Sequence, residues 1–164
     1  MTRSVGDALS DVLLALLDGR DLPGRMGKAI LIATTDARGW PHPALLSYGE
    51  VVALDRRRIR LATYRESTTS GNLRRDGKLT LCLVEAGMAY YIKAQALAQR
   101  DPMTAFAHLA SFEAVVQAIL QDQARQDLEP GTDLTGGISF RIGRSEGEVL
   151  RDWQAVQDGL RGEG

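Results

Sequence analysis

The chain has 164 residues, 44% of them hydrophobic and 25% charged, with a formal net charge of −1. That length suits one domain burying about 70% of its unfolded surface, and the charge balance excludes a general electrostatic nucleic-acid binder. A single cysteine, Cys82, excludes an internal disulfide and a thiolate metal cluster.

Residues 4–18 read as an amphipathic helix, with Ala8, Leu9, Val12, Leu13, Leu16 and Leu17 at helical spacing and Gly19 as a left-handed cap. They form an N-terminal helical unit over residues 1–22. Val12 to Leu17 is too short, and too soon interrupted by Asp18, for a secretory or spanning segment. A cytoplasmic protein with no membrane or nucleic-acid partner is the expectation.

From Lys28 the pattern changes to strands. Ala29 to Thr35 is β-rich, and Asp36 to Gly39 reads as a hairpin turn. Pro41 and Pro43 place the next strand entry at an edge or bulge. A second strand follows over Ala44 to Leu54, with Gly49 as a bulge or close approach. A third runs from Arg58 to Thr63, and a fourth from Lys78 to Val84. Beyond a Glu85-Ala86-Gly87 turn comes Met88 to Ala98. Asp101 and Pro102 read as N-cap and first residue of an inserted helix over 101–128, in which Phe106, Leu109, Phe112, Val116, Ile119 and Leu120 keep helical spacing. Gly137 to Gly143 reads as a last strand, before a short helix bearing Trp153, Val156 and Leu160. Strands joined by short turns favour an antiparallel sheet. The expected fold is mainly β (α+β), a small antiparallel split β-barrel with flanking helices, as one domain over residues 1–164.

Between the third and fourth strands lie four consecutive hydroxyl residues, Ser67, Thr68, Thr69 and Ser70. Ser67 or Thr68 can cap the short helix that follows. The free N–H groups of its first turn, the hydroxyls and the nearby Arg74, Arg75 and Lys78 form a set suited to a phosphate. A plain capped turn uses the same residues.

In order and spacing, the pieces from Gly27 to Ala98 resemble the flavin-binding split β-barrel family related to pyridoxamine-phosphate oxidase. The carriers are Thr34, Asp36 and Gly39, then Pro41, Asp55, the Arg58–Thr63 strand, Asn72-Leu73-Arg74, Asp76, the Leu79–Val84 strand and Ile92 to Ala96. The resemblance implies a homodimer with FMN, or a deazaflavin or haem, at the subunit interface. It places the phosphate beside Ser67, Thr68, Thr69 and Asn72, and the ring along Ser47, Tyr48, Ala62 and Thr63. Where the oxidase proper carries four basic residues, this chain has Ala44, Gly49, Thr68 and Thr69. Arg65, Arg74 and Lys93 are the substitutes at hand, and vitamin-B6 oxidase activity is not expected.

His42, between two prolines, reads as a turn residue, and His108 as a helix-surface residue; together with Cys82 they give no zinc spacing. No nucleophile elbow, phosphate-loop or dinucleotide motif occurs. The expected function is an FMN-dependent oxidoreductase of a small molecule, with no protein acid or base assigned. A non-catalytic flavin- or haem-binding barrel, or a cofactor-free dimeric barrel, are the alternatives.

Overall fold

The computed structural model describes residues 1–162. An eight-stranded antiparallel sheet curls into a split barrel: β1 (Arg3–Gly6), β2 (Ala29–Thr35), β3 (Pro41–Ser47), β4 (Val51–Ala53), β5 (Arg58–Tyr64), β6 (Lys78–Glu85), β7 (Met88–Arg100) and β8 (Leu109–Asp122). Its order is β3-β2-β6-β7-β8-β5-β4, with β1 paired to β8. Among the described residues three α-helices accompany it: α1 (Asp11–Leu17), α2 (Thr68–Asp76) and α3 (Glu146–Gly162).

Alternation of side chains decides which face is inside. Ile30, Ile32 and Thr34 of β2, and Leu79, Leu81 and Leu83 of β6, are buried, while Leu31, Ala33, Thr80, Cys82 and Val84 point outward and are half-buried. The Asp36 carboxylate holds the β2–β3 hairpin by accepting from the N–H groups of Arg38 (2.8 Å) and Trp40 (2.9 Å). At the β6–β7 hairpin both Ala86 (φ 49°) and Gly87 (φ 77°) are left-handed, the twist that suits a two-residue connection. Both turns stand where the sequence places them.

Four expectations are corrected. The inserted helix over 101–128 is absent: Asp101 and Pro102 form a loop with a cis peptide, and residues 109–122 are the long strand β8. The helix expected over 4–18 is reduced to α1, because residues 3–6 instead pair with the end of β8. The strand expected over Ala44–Leu54 starts earlier and breaks at a 3-10 turn, Tyr48–Glu50. Gly137 to Gly143 forms no ladder, only a bridge from Ser139 to Lys28.

α3 seals one side of the barrel through Trp153, Gln157 and Leu160, spaced four and three apart on one helical face. Gly49 is the close approach expected of it, since a Cβ there would stand 2.3 Å from Cγ of Trp153. Gln157 is fully buried, and its Nε2 donates to the carbonyls of Val51 (2.7 Å) and Tyr48 (2.9 Å), with Gly49 O at 3.4 Å.

Candidate functional site

The α2 corner is built by β5 feeding the helix through Tyr64 to Ser67. Ser67 is the N-cap, with extended backbone, and its Oγ accepts from Ser70 N (3.1 Å). Gly71 N donates to Ser67 O (3.1 Å), so the N–H groups of Thr68 and Thr69 are the first-turn donors without an intrahelical acceptor. Gly77, at φ 70°, closes the far end.

The four hydroxyls divide. Ser70 is fully buried, shares a 2.5 Å hydrogen bond with Thr63 Oγ1 and donates to Tyr64 O (2.8 Å), tying helix to strand. Thr69 is buried as well, and Ser67 is half-buried as the cap. Only Thr68 presents an exposed side chain. Asn72 is buried; its Nδ2 donates to Thr34 Oγ1 (2.9 Å) and its Oδ1 accepts from Arg75 (3.1 Å), locking α2 to the end of β2.

Two guanidinium groups flank the corner and share one carboxylate. Arg65 Nε donates to Asp101 Oδ1 (2.8 Å), and Arg74 Nη2 to Asp101 Oδ2 (2.5 Å) and to Arg65 O (2.9 Å). Desolvation raises the Asp101 carboxyl, but the bonds from Arg74 and Arg65 outweigh it and hold the group below its ordinary value. Asp101 therefore offsets one of the two cations, and the exposed Glu66 carboxylate also stands near Arg65 (3.9 Å). Asp101 escaped the sequence reading: its partners lie 27 and 36 positions away, and its place before a proline mimics a helix start.

The remaining expected residues stand elsewhere. Ser47 pairs with Ala29 and Pro41 with Thr35, so Ser47 and Tyr48 lie at the opposite end of β2 from Asn72. At about 3.4 Å per residue, that separation is about 17 Å along the strand. Ser47 forms a capping box with Glu50, its N–H (2.6 Å) and Oγ (2.9 Å) both donating to the Glu50 carboxylate. Burial raises the Glu50 carboxyl, partly offset by those two bonds. Tyr48 is buried in the main core under Arg25, whose guanidinium sits 6.0 Å from the ring centroid. Ala62 is fully buried in a second apolar cluster with Val52, Met103, Leu109 and Leu160, so the chain itself covers that side of β5. Lys93 is exposed on the outward face of β7, in a groove with Thr34, Thr35 and Lys78.

His42 lies on β3, where its carbonyl accepts from Thr34 Oγ1 (3.4 Å). His108 lies in the loop before β8 against Phe106 and Tyr64, not on a helix. Among the described residues no group of three or more His, Cys, Asp or Glu side chains is placed to hold a metal ion, and no helix is long and apolar enough to cross a membrane. An apolar cavity of about 490 Å³ lies away from the corner, against the outward face of β2, β6 and β7.

A model of the family described as pyridoxamine 5′-phosphate oxidase matches residues 26–131. The uncharacterized protein YclD of Bacillus subtilis (strain 168) is 32% identical over 155 residues, 94% of this chain and 97% of that one. The solved structure of the conserved hypothetical protein Rv2991 from Mycobacterium tuberculosis matches with a TM-score of 0.54 and 16% identity, over 82% of this chain and 98% of that one. An FMN-binding protein from Syntrophomonas wolfei matches with a TM-score of 0.50 and 16% identity, over 68% and 88%. At such identities the two solved structures establish a common fold.

Proposed function

Because the chain belongs to the pyridoxamine 5′-phosphate oxidase family, we propose that it binds FMN as a homodimer and serves as a flavin-dependent oxidoreductase of a small molecule. The observation that carries this reading is the α2 corner: the Thr68 hydroxyl and the Thr68 and Thr69 N–H groups open beside Arg65 and Arg74. That donor set fits a phosphate monoester in kind, since a helix N-terminus and guanidinium groups both favour an anion. It fits less fully in charge, because the phosphate carries about −1.5 to −2 and Asp101 already takes up one of the two cations.

In this proposal Ser67 and Asn72 hold the helix start in place, Thr68, Thr69 and Arg74 meet the phosphate, and Thr63 anchors the strand end beside it. When bound, the flavin supplies the redox chemistry, and the chain supplies placement and electrostatics. The outward sheet face, with Leu31, Ala33, Cys82, Tyr91 and an exposed Leu45, suits coverage by a second copy. Reduction of a deazaflavin in place of FMN would use the same corner.

Titration with FMN and with riboflavin, followed by flavin fluorescence and melting temperature, tests the reading. FMN is expected to bind at least tenfold more tightly than riboflavin, which lacks the phosphate. An unchanged flavin spectrum and melting temperature would refute flavin binding. Anaerobic reduction of bound FMN by NADH or NADPH tests the oxidoreductase step, and sedimentation tests the dimer. A second reading, a cofactor-free dimeric barrel, draws on Asp101, which already satisfies both arginines; silence toward FMN and haem would select it.

A further inference from the structure

The α2 corner holds an anion of its own. Arg65 and Arg74 converge on the Asp101 carboxylate, at 2.8 and 2.5 Å. The Glu66 carboxylate, on an exposed side chain, stands 3.9 Å from Arg65. Two guanidinium groups thus meet two carboxylates, and among these four groups at most one positive charge is left over. The next cations along the helix are directed elsewhere. Arg75 donates to Asn72 Oδ1 (3.1 Å) and to the Thr35 carbonyl at the end of β2. Lys78 follows the far end of α2, and nine residues at about 1.5 Å rise put that end about 13 Å from the corner.

Asp101 is a fixture of the fold. It stands two residues before Met103, which is buried in the second apolar cluster. Met103 N donates to Leu109 O (2.8 Å), Phe106 N to Met103 O (3.0 Å) and Leu109 N to Phe106 O (3.0 Å), so the loop is pinned to the start of β8. The Asp101 side chain is 21% exposed, and water and salt screen it incompletely. Its charge is therefore felt by any anion that the corner takes up.

A ligand anion seated on the Thr68 and Thr69 N–H groups and on the two arginines lies beside that carboxylate. Its attraction to the corner grows in proportion to its charge, whereas the cost of stripping its water grows with the square of the charge. Two uncompensated arginines would match a phosphate monoester, which carries about −1.5 to −2. With at most one positive charge left over, the second charge of the ligand finds no partner and is repelled by Asp101. A phosphodiester spreads a single charge over two oxygens. The exposed Thr68 hydroxyl and the two first-turn N–H groups can still bond to both.

We propose that the α2 corner selects its phosphate by charge, taking a singly charged phosphodiester in preference to a doubly charged monoester, with Asp101 as the specificity-determining residue. The inference rests on the reading of this corner as a flavin-phosphate site. It narrows the cofactor class to a flavin or deazaflavin carried on a phosphodiester, for which FMN is the weaker substitute.

Fluorescence titration of the full chain with FMN, the methyl phosphodiester of FMN, and riboflavin tests the inference at about pH 8, where a monoester carries close to two charges. The methyl ester differs from FMN by one charge and one methyl group. It is expected to bind at least tenfold more tightly than FMN. Asp101→Asn keeps the shape and removes the charge, so it should bring the two ligands within twofold of each other by tightening FMN. The tighter of FAD and a phosphodiester-linked deazaflavin then identifies the source of the diester. FMN binding as tightly as its methyl ester in the wild type, or a preference unchanged in the Asp101→Asn protein, overturns the inference. If FMN binds at least tenfold more tightly than riboflavin and also more tightly than the ester, the FMN proposal stands and this one falls. If the ester binds through Asp101-dependent selection while FMN binds no better than riboflavin, the FMN proposal falls and this one stands. Equal binding of all three ligands, or of none, overturns both.

Discussion

Gln157 ties α3 to the barrel, and its replacement gives a magnitude from geometry. Its Nε2 carries two hydrogens and meets two short acceptors, Val51 O at 2.7 Å and Tyr48 O at 2.9 Å, all in fully buried surroundings. Gln157→Ala leaves both carbonyls without a donor. An orphaned buried polar group costs about 1–3 kcal/mol, so the pair costs about 2–6 kcal/mol. A native domain has only about 5–15 kcal/mol to lose. For a chain of this size each kcal/mol lowers the melting temperature by roughly 2–4 °C. Gln157→Glu keeps the shape but turns a carboxylate toward the three carbonyls, and should cost at least as much as alanine. Urea unfolding followed by far-UV circular dichroism measures both variants, with the slope checked for constancy. A Gln157→Glu protein with the wild-type midpoint would refute the donor role of Nε2 and the view that α3 is held there by hydrogen bonding.

Gly49→Ala should destabilise by about 1–3 kcal/mol through overpacking, since its Cβ would meet Trp153 at 2.3 Å; partial recovery in G49A/W153L would confirm the contact by urea unfolding. Glu50 has its carboxyl raised by burial, so the native state binds more protons than the unfolded state above the ordinary carboxylate range. Stability is therefore lost as pH rises through the raised value. Glu50→Gln, which can still accept from Ser47 N, should match the wild type below the ordinary carboxylate range and exceed it near pH 7 in melting temperature. Asp101→Asn should tighten FMN binding and leave riboflavin binding unchanged, because it frees Arg65 and Arg74; equal shifts for both ligands would count against a phosphate at this corner. Thr68→Val should weaken FMN binding with an unaltered melting temperature, whereas Ser70→Ala should lower the melting temperature by removing the bonds to Thr63 and Tyr64.

The two hairpins, the capped start of α2 and the close approach at Gly49 were legible because each rests on a few adjacent residues with restricted chemistry. Asp36 with Gly39, Ala86 with Gly87, and Ser67 before α2 act within four positions. The strand β8 was misread for a definite reason. Inward alternation brings Phe112, Ala114 and Val116 to the core, and the bulge at Gln117 then shifts the next inward residue to Ile119. A single inserted residue turns a two-residue period into an apparent helical one. The outward face of the same strand is also covered where Leu109 joins the second apolar cluster, which removes the polar alternation that marks a strand.

By itself, the sequence determined the fold class, an antiparallel split barrel, together with the short capped helix that follows the Arg58–Tyr64 strand and membership of one family. Alternation, turn chemistry and capping are local, so they survive in one dimension. Tertiary structure alone decided which hydroxyls face solvent, because Ser70 and Thr69 turn inward where α2 meets β5 and β2. It decided that Asp101 neutralises one of two arginines, and that Ser47 and Tyr48 stand at the far end of β2 from the α2 corner. It also brought Lys78, Lys93 and Gln117 into one groove through an interrupted ladder and a bulge. Electrostatic partnership and exposure depend on distances across the fold, and residues far apart in the chain set those distances.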